Sequence, residues 1–209
     1  MINIVYKFSN SEEYSVEGNS ITCSFEDYRY TFWKSKLELL PEFPSNEAID
    51  LLVISLAVYG ADRIIKRKDS FNAWKRSIHL HLPVLNSDLL EENVELLKRT
   101  INFLTGDSWE FTFRDRELTL EEIKIRDQMR QTRIDKLDIN KLCMFSGGLD
   151  SFIGAIDLLE DESKDIIFVS HYGGGKGTLE YQEALREELI KEYSLSKDNF
   201  YSFYAAPNG

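Results

Sequence analysis

Two periodicities alternate along the chain. Residues 2–8 and about 20–33 are rich in Ile, Val, Tyr, Phe and Thr and read as strands, with Glu17, Gly18, Asn19 and Ser20 as a turn between them. Pro41 and Pro44 close this region. Ser45 or Asn46 can then cap a long helix running to about Lys68. Its centre is apolar nearly all round, which predicts burial. Residues 77–83 alternate with period two and read as a strand. Asp88 and Glu91 have the spacing of a capping box opening a second helix, and Gly106 ends it. Residues 108–114 form another alternating strand. The first part of the chain, residues 1–118, is therefore expected to be an α+β accessory or partner-binding domain of several strands and two main helices.

Residues 119–137 change character. They are charged, with Ile123, Ile125, Met129, Ile134 and Leu137 as apolar points at helical spacing, so 119–138 reads as a helical connector. Beyond it the pattern is β-α-β-α-β. An apolar run at 141–145 enters a glycine-rich turn and a helix-like segment at 151–159. Residues 165–170 are a continuous apolar run, suited to a parallel strand covered on both faces. A second glycine-rich stretch, a helix from about 179 to 193 and a third strand at 199–205 follow. The fold class is α/β, with an α+β N-terminal domain and a parallel sheet in residues 139–209.

Composition narrows the class. With 209 residues and 43% hydrophobic content the chain can build a real core. Its net charge is -11, with 19 basic against 24 acidic residues up to Asn140 and 6 against 12 beyond it. Neither part is a basic nucleic-acid binder. Cys23 and Cys143 lie in apolar, strand-like runs and read as buried thiols; no Cys-x-x-Cys pair is present to hold zinc. The first residues lack a charged region before an apolar core, and the longest apolar stretch, residues 51–59, is too short for a bilayer. The expectation is a cytoplasmic protein with no membrane contact.

The chemistry concentrates at Cys143, Met144, Phe145, Ser146, Gly147, Gly148, Leu149, Asp150 and Ser151. A strand, a tight glycine turn and a helix start make a phosphate cradle. Gly147 and Gly148 can take positive φ and lack a Cβ. The first N–H groups of the helix have no intrahelical partner and carry the positive end of its dipole. Ser146 and Ser151 add hydroxyl donors. Asp150 is a carboxylate beside the expected phosphates, which implies Mg²⁺ between them. A Walker A loop would need a Lys before its Ser or Thr, and a dinucleotide fingerprint would need G-x-G-x-x-G; neither is present. A plain strand-to-helix turn is the bland alternative.

Other features have milder readings. Arg126, Arg130 and Arg133 share a helical face and read as a solvated stripe or a docking site for an acidic partner or phosphates. The basic run Arg63, Lys66, Arg67 and Lys68 reads the same way. His79 and His81 share one strand face; they suit an ordinary sheet surface, or a metal if a third ligand existed.

The six residues Ser146-Gly147-Gly148-Leu149-Asp150-Ser151 match the signature of the PP-loop ATP pyrophosphatases, and the chain resembles that family. The resemblance implies an adenine nucleotide alpha hydrolase fold, ATP and Mg²⁺ as ligands, and adenylation of a substrate carboxylate or carbonyl with release of pyrophosphate or AMP. Tyr172-Gly173, then Glu180-x-x-x-Ala184, is similar to the QueC-like branch, with one extra residue and with Gly174-Gly175-Lys176 where that branch has Gln-Arg-His. Trp74-Lys75-Arg76-x-Ile78, Leu82-Pro83-Val84 and Phe103 to Phe113 resemble the N-terminal portion of the QueC-like proteins of bacterial anti-phage Qat systems, such as QatC.

That likeness implies a 7-deazaguanine-type substrate or a partner-protein acceptor, and partners from a defence operon such as a QatB-like protein. The expected catalytic residues are Ser146, Asp150, Ser151 and Lys176, with Asp150 on the metal. Met144, Phe145, Ser146, Gly147, Gly148, Leu149, Asp150, Ser151, Ser170, His171, Tyr172 and Gly173 would bind the nucleotide. The four cysteines that hold zinc in QueC are missing, so zinc is not expected from these residues. PP-loop sheets resemble one another in a 3-2-1-4-5 order. Three strands are identified here, so the chain is expected to be the N-terminal portion of a longer protein, inactive or associating alone. A nucleotide-binding scaffold that acts through partner proteins is the alternative.

Overall fold

The computed structural model describes residues 1–34, 37, 40, 42–70, 73–131, 139–161, 165–172 and 176–207. The chain divides into two compact units, one of Met1–Tyr28, Pro44–Thr119 and Pro207–Gly209 and one of Arg29–Phe43 and Leu120–Ala206. Residues 29–43, which precede the long first helix, thus belong with the later part of the chain.

The first unit holds β1 (Ile2–Lys7) and β2 (Ser20–Ser24), followed by β3 (Tyr28–Tyr30), whose pairing belongs to the other unit. Then come α1 (Asn46–Ile64), β4 (Ser77–Val84), α2 (Ser87–Glu92), α3 (Val94–Thr105) and β5 (Ser108–Asp115). Its sheet has the order β2-β1-β4-β5, and all three pairings are parallel. This corrects the α+β expectation: the unit is α/β. Parallel neighbours need crossovers of about a dozen residues or more, and the connections here supply them, through the loop after β1, α1, and α2 with α3.

The period-two pattern survives because one face is apolar and the other polar. Ile4, Leu80 and Phe111 lie in register and buried on one face. Asn3, His79 and Glu110 lie in register on the other. The apolar face packs with α1, capped by the Ser45 side chain, which accepts from Ala48 N–H. At Gly60 the helix comes so close to Tyr28 that a Cβ would sit 1.5 Å from its hydroxyl oxygen.

Arg76 and Asp107, from the tryptophan-rich stretches, are both buried. Arg76 Nε donates to Asp107 at 3.0 Å, and its Nη1 donates to the carbonyls of Asp62 and Ile65 at 2.9 and 2.7 Å, closing the end of α1. Arg67 adds a bidentate pair with Asp107 at 2.9 and 3.0 Å. Arg67 is thus a partner in this network rather than one of a solvated stripe. Burial works against the charge on Asp107, but its hydrogen bonds from Arg76 win and hold its pKa below the ordinary value. The second helix also differs from expectation. Asn86, not Asp88, is the cap: its side chain accepts from Leu89 N–H at 3.2 Å. The helix breaks at Asn93, whose amide donates to Leu89 O at 2.8 Å, and Gly106 closes α3 at φ 73°.

The second unit holds α4 (Leu120–Gln131), β6 (Lys141–Met144), α5 (Leu149–Glu160), β7 (Ile166–Tyr172), α6 (Lys176–Tyr193) and β8 (Phe200–Pro207). Its sheet order is β3-β8-β7-β6, with β6, β7 and β8 parallel. Phe145, Phe168, Ala155, Leu159 and Leu189 form its core, with Phe200 packed against them. Strand β6 is an edge: among the described residues it pairs with β7 alone, and Leu142 and Met144 are 62% and 65% exposed. Arg133, Ile134 and Leu137 of the expected connector lie outside the described residues. Among the described residues no helix is long and apolar enough to cross a membrane.

Candidate functional site

Strand β6 ends in the core. Phe145 is 1% exposed and its N–H donates to Val169 O at 2.7 Å, so the chain is anchored to β7 just before it turns. Ser146 is exposed, and Gly147 adopts φ 83°. Gly148, at φ -84°, is the N-cap of α5 and supplies no side-chain cap. Of the two glycines, only Gly147 uses the left-handed freedom. The turn bonds to itself through hydroxyls: Ser146 Oγ donates to Ser151 Oγ at 3.0 Å, Ser151 Oγ donates to Gly148 O at 2.9 Å, and Gly148 N–H donates to Ser146 Oγ at 3.3 Å.

The first intrahelical bond is Phe152 N–H to Gly148 O. The N–H groups of Leu149, Asp150 and Ser151 therefore precede the helical ladder, at the positive end of the helix dipole. Asp150 is the acidic residue in this first turn and its side chain is exposed. Leu149 is exposed as well, leaving the mouth of the turn uncovered.

Strand β7 brings its own end alongside. Ser170 Oγ donates to Phe145 O at 2.6 Å, so this hydroxyl clamps the two strands together. His171 is exposed, and Tyr172 pairs with Tyr204 at 5.3 Å between ring centroids. Gly173 and the side chain of Lys176 lie outside the described residues.

One residue joins the two strand ends and escaped the reading of the motifs. Gln182 on α6 is 4% exposed, and its Nε2 donates to Ser146 O at 3.0 Å and to His171 O at 3.1 Å. Its Cγ would lie 2.8 Å from a Cβ at Gly147. The signal was present in the sequence: Gln182 lies on the inward row with Leu185 and Leu189, a polar residue at a core-facing position.

The other candidates do not join this site. His79 and His81 stack at 4.2 Å in the first unit. There His79 Nε2 meets Thr112 Oγ1 at 2.8 Å and His81 Nε2 meets Asn3 Oδ1 at 3.3 Å. Burial, then His79 and Arg114, push the His81 pKa down to about 4. No group of three or more potential metal-ligating side chains occurs among the described residues. Cys143 is a buried thiol, its pKa raised by burial. Comparison with family models, with curated proteins and with solved structures finds no match to this chain.

Proposed function

We propose that the turn of residues 146–151 binds the phosphates of ATP. On this reading the chain is part of a QueC-like PP-loop enzyme that activates a substrate carboxylate. The observation that carries this reading is the start of α5. It has no side-chain cap, its leading N–H groups face an uncovered mouth, and the hydroxyls of Ser146 and Ser151 are turned onto each other rather than onto those N–H groups. Such a helix start favours an anion electrostatically. Left-handed Gly147 and the bridge from Gln182 hold the turn in this shape.

The residues also fit a magnesium ion of the ordinary ATP-bound kind, held by one carboxylate and the phosphate oxygens. Asp150 would hold it, and the ion would neutralise charge on the leaving pyrophosphate. In the proposed reaction a carboxylate oxygen attacks the α-phosphorus, forming an acyl–phosphate bond as the α–β bridging bond breaks. The turn's N–H groups would stabilise charge as it builds on the departing group, an effect of about 10²-fold or more per donor. A deazaguanine-type acid or a carboxylate of a partner protein is the acceptor in this proposal.

A nucleotide-binding scaffold is the second reading. The exposed apolar residues of edge strand β6, Leu142 and Met144, favour it, since such an edge invites association. Calorimetric titration with Mg·ATP and a pyrophosphate-release assay separate the two. The enzyme reading predicts binding and release in the wild type, with release lost in Asp150→Ala. Binding without release supports the scaffold, and absence of binding overturns both.

A further inference from the structure

Charge is segregated in the first unit. Residues 63–76, from the end of α1 to the approach to β4, hold six basic residues and one acid, Asp69, while the rest of the chain holds 19 basic and 35 acidic residues. This segment alone carries a net charge of +5 in a chain of net charge -11. Arg67 and Arg76 spend their guanidinium groups on Asp107. Arg63, Lys66, Lys68 and Lys75 are exposed.

The same segment meets an apolar surface. The Arg67 guanidinium donates through Nη1 to Trp74 O at 2.7 Å and through Nη2 to Thr105 O at 2.8 Å. The chain at Trp74 and the last turn of α3 therefore converge on one side chain, with Lys66 and Lys68 before and after it in sequence. Trp74 is 78% exposed, and Phe103 and Leu104, just ahead of Thr105, are 87% and 70% exposed.

The roll of α3 explains this exposure. Asn102 Oδ1 accepts from Trp109 N–H and Thr105 Oγ1 accepts from Trp109 Nε1, both at 2.8 Å. At 3.6 residues per turn, Leu96, Phe103 and Leu104 fall about 130–150° round the helix from that anchor. Turning them inward would break both bonds. An apolar cluster with two aromatic residues and a cationic rim has the make-up of a binding hot spot.

We propose that this surface docks a short acidic segment of another protein, one that carries apolar side chains between its carboxylates. The apolar side chains would cover Trp74, Phe103 and Leu104, and the carboxylates would face Lys66, Lys68 and Lys75. A bilayer or a nucleic acid presents negative charge over a wide area, which the acidic remainder of the chain repels. A second copy would set one basic patch against another. A short acidic segment meets the basic patch alone. The proposal concerns the first unit and does not rest on the nucleotide reading.

The test is an NMR titration of the full chain with a synthetic peptide of about 14 residues, close to the length of α3. It is built from Glu, Leu and Phe, with the apolar residues on one helical face. One control peptide has Lys for every Glu and the other has Ser for every Leu and Phe. Saturable shifts at the Trp74 indole and the amides of residues 96–105 are expected, weakening with added salt, with both controls at least tenfold weaker. Phe103→Ser with Leu104→Ser, and separately Lys66→Glu with Lys68→Glu, should each weaken binding at least tenfold. Each variant is first required to melt as the wild type does, and either one suffices for the test. The proposal is overturned if no saturable shift occurs, if either control binds as well, or if neither folded variant weakens binding. It is also overturned if phosphatidylserine vesicles or single-stranded DNA bind these residues more tightly than the acidic peptide.

Discussion

Each unit contains a junction where a parallel strand turns into a helix, and the two are finished in opposite ways. After β4, the N–H groups of Leu85 and Asn86 donate to the buried carboxylate of Asp50 at 2.7 and 3.0 Å, Ser87 N–H donates to Asp115 at 3.2 Å, and Asn86 caps Leu89. Every donor named here is spent on the protein's own oxygens, three of them on carboxylates. After β6, the corresponding position is Gly148, with no cap, and the neighbouring carboxylate of Asp150 points to solvent. The same local geometry therefore makes a closed structural joint in one unit and an anion-ready one in the other. The difference lies in a few side chains, not in the fold.

The largest expected effect sharpens the closed side. Arg76→Met would leave Asp107 buried with its main partner gone, and removing one member of such a pair typically costs about 3–5 kcal/mol. Urea denaturation should show that loss in the first unit's transition. A loss below about 1 kcal/mol would mean that the network contributes little to stability.

Asp50→Ala breaks the closed junction itself. Two backbone donors lose their acceptor at a buried site, each worth about 1–3 kcal/mol. Hydrogen exchange at Leu85 and Asn86 should accelerate sharply. Unchanged protection at both amides would contradict the account.

The polar sheet face gives the first unit a pH dependence. His81 is held neutral by burial, with a folded pKa of about 4 against an ordinary value near 6.5. The unfolded chain therefore binds the extra proton first. Stability is fully present above about pH 6.5 and declines as pH falls toward 4, by about 2–3 kcal/mol at most. Thermal melts across that window should show the slope, and His81→Gln should flatten it. The lowered Asp107 pKa adds a stability contribution that is present above the unfolded carboxylate value and is lost as pH falls through the folded one. A wild-type melting temperature constant between pH 6.5 and 4 would exclude the His81 contribution.

Gly147→Ala is the smallest change on the open side. A non-glycine residue at φ 83° costs about 1–2 kcal/mol, and the new Cβ crowds Gln182 Cγ. A modest fall in stability with weaker nucleotide binding is expected. Stability equal to wild type would show that the turn relaxes out of this conformation.

Much of this was legible in the sequence. Ser45 as a cap, Gly106 as a stop, and the strand–turn–helix around Gly147 are local signals, and the structure has elements where those signals fall. Pairing direction was not legible, because the first unit's strands alternate apolar and polar as antiparallel strands often do, although their neighbours are parallel. The Arg67–Arg76–Asp107 network joins residues up to 40 apart in sequence, and no local pattern distinguishes a buried arginine from a solvated one. Residues 29–43 group with the later unit through strand β3, a long-range pairing that composition does not encode. Gln182 was visible only as a polar residue on an inward row, and its two bonds to strand ends required the fold.

The contrast between the junctions can be tested by making the open one closed. Gly148 has extended backbone angles, and a Cβ there would meet only Ser146 Oγ, at 3.5 Å, so Gly148→Asp is sterically admissible. It would install a capping carboxylate like those after β4. The decisive measurement is Mg·ATP affinity by calorimetry, paired with a melting curve, for wild type and Gly148→Asp. The account predicts a helix start stabilised by roughly a few tenths of a kcal/mol together with loss of nucleotide affinity of about 100-fold or more, since the cap both occupies the donors and repels phosphate. A stable variant that binds Mg·ATP as tightly as the wild type would contradict the claim that this turn holds the phosphates.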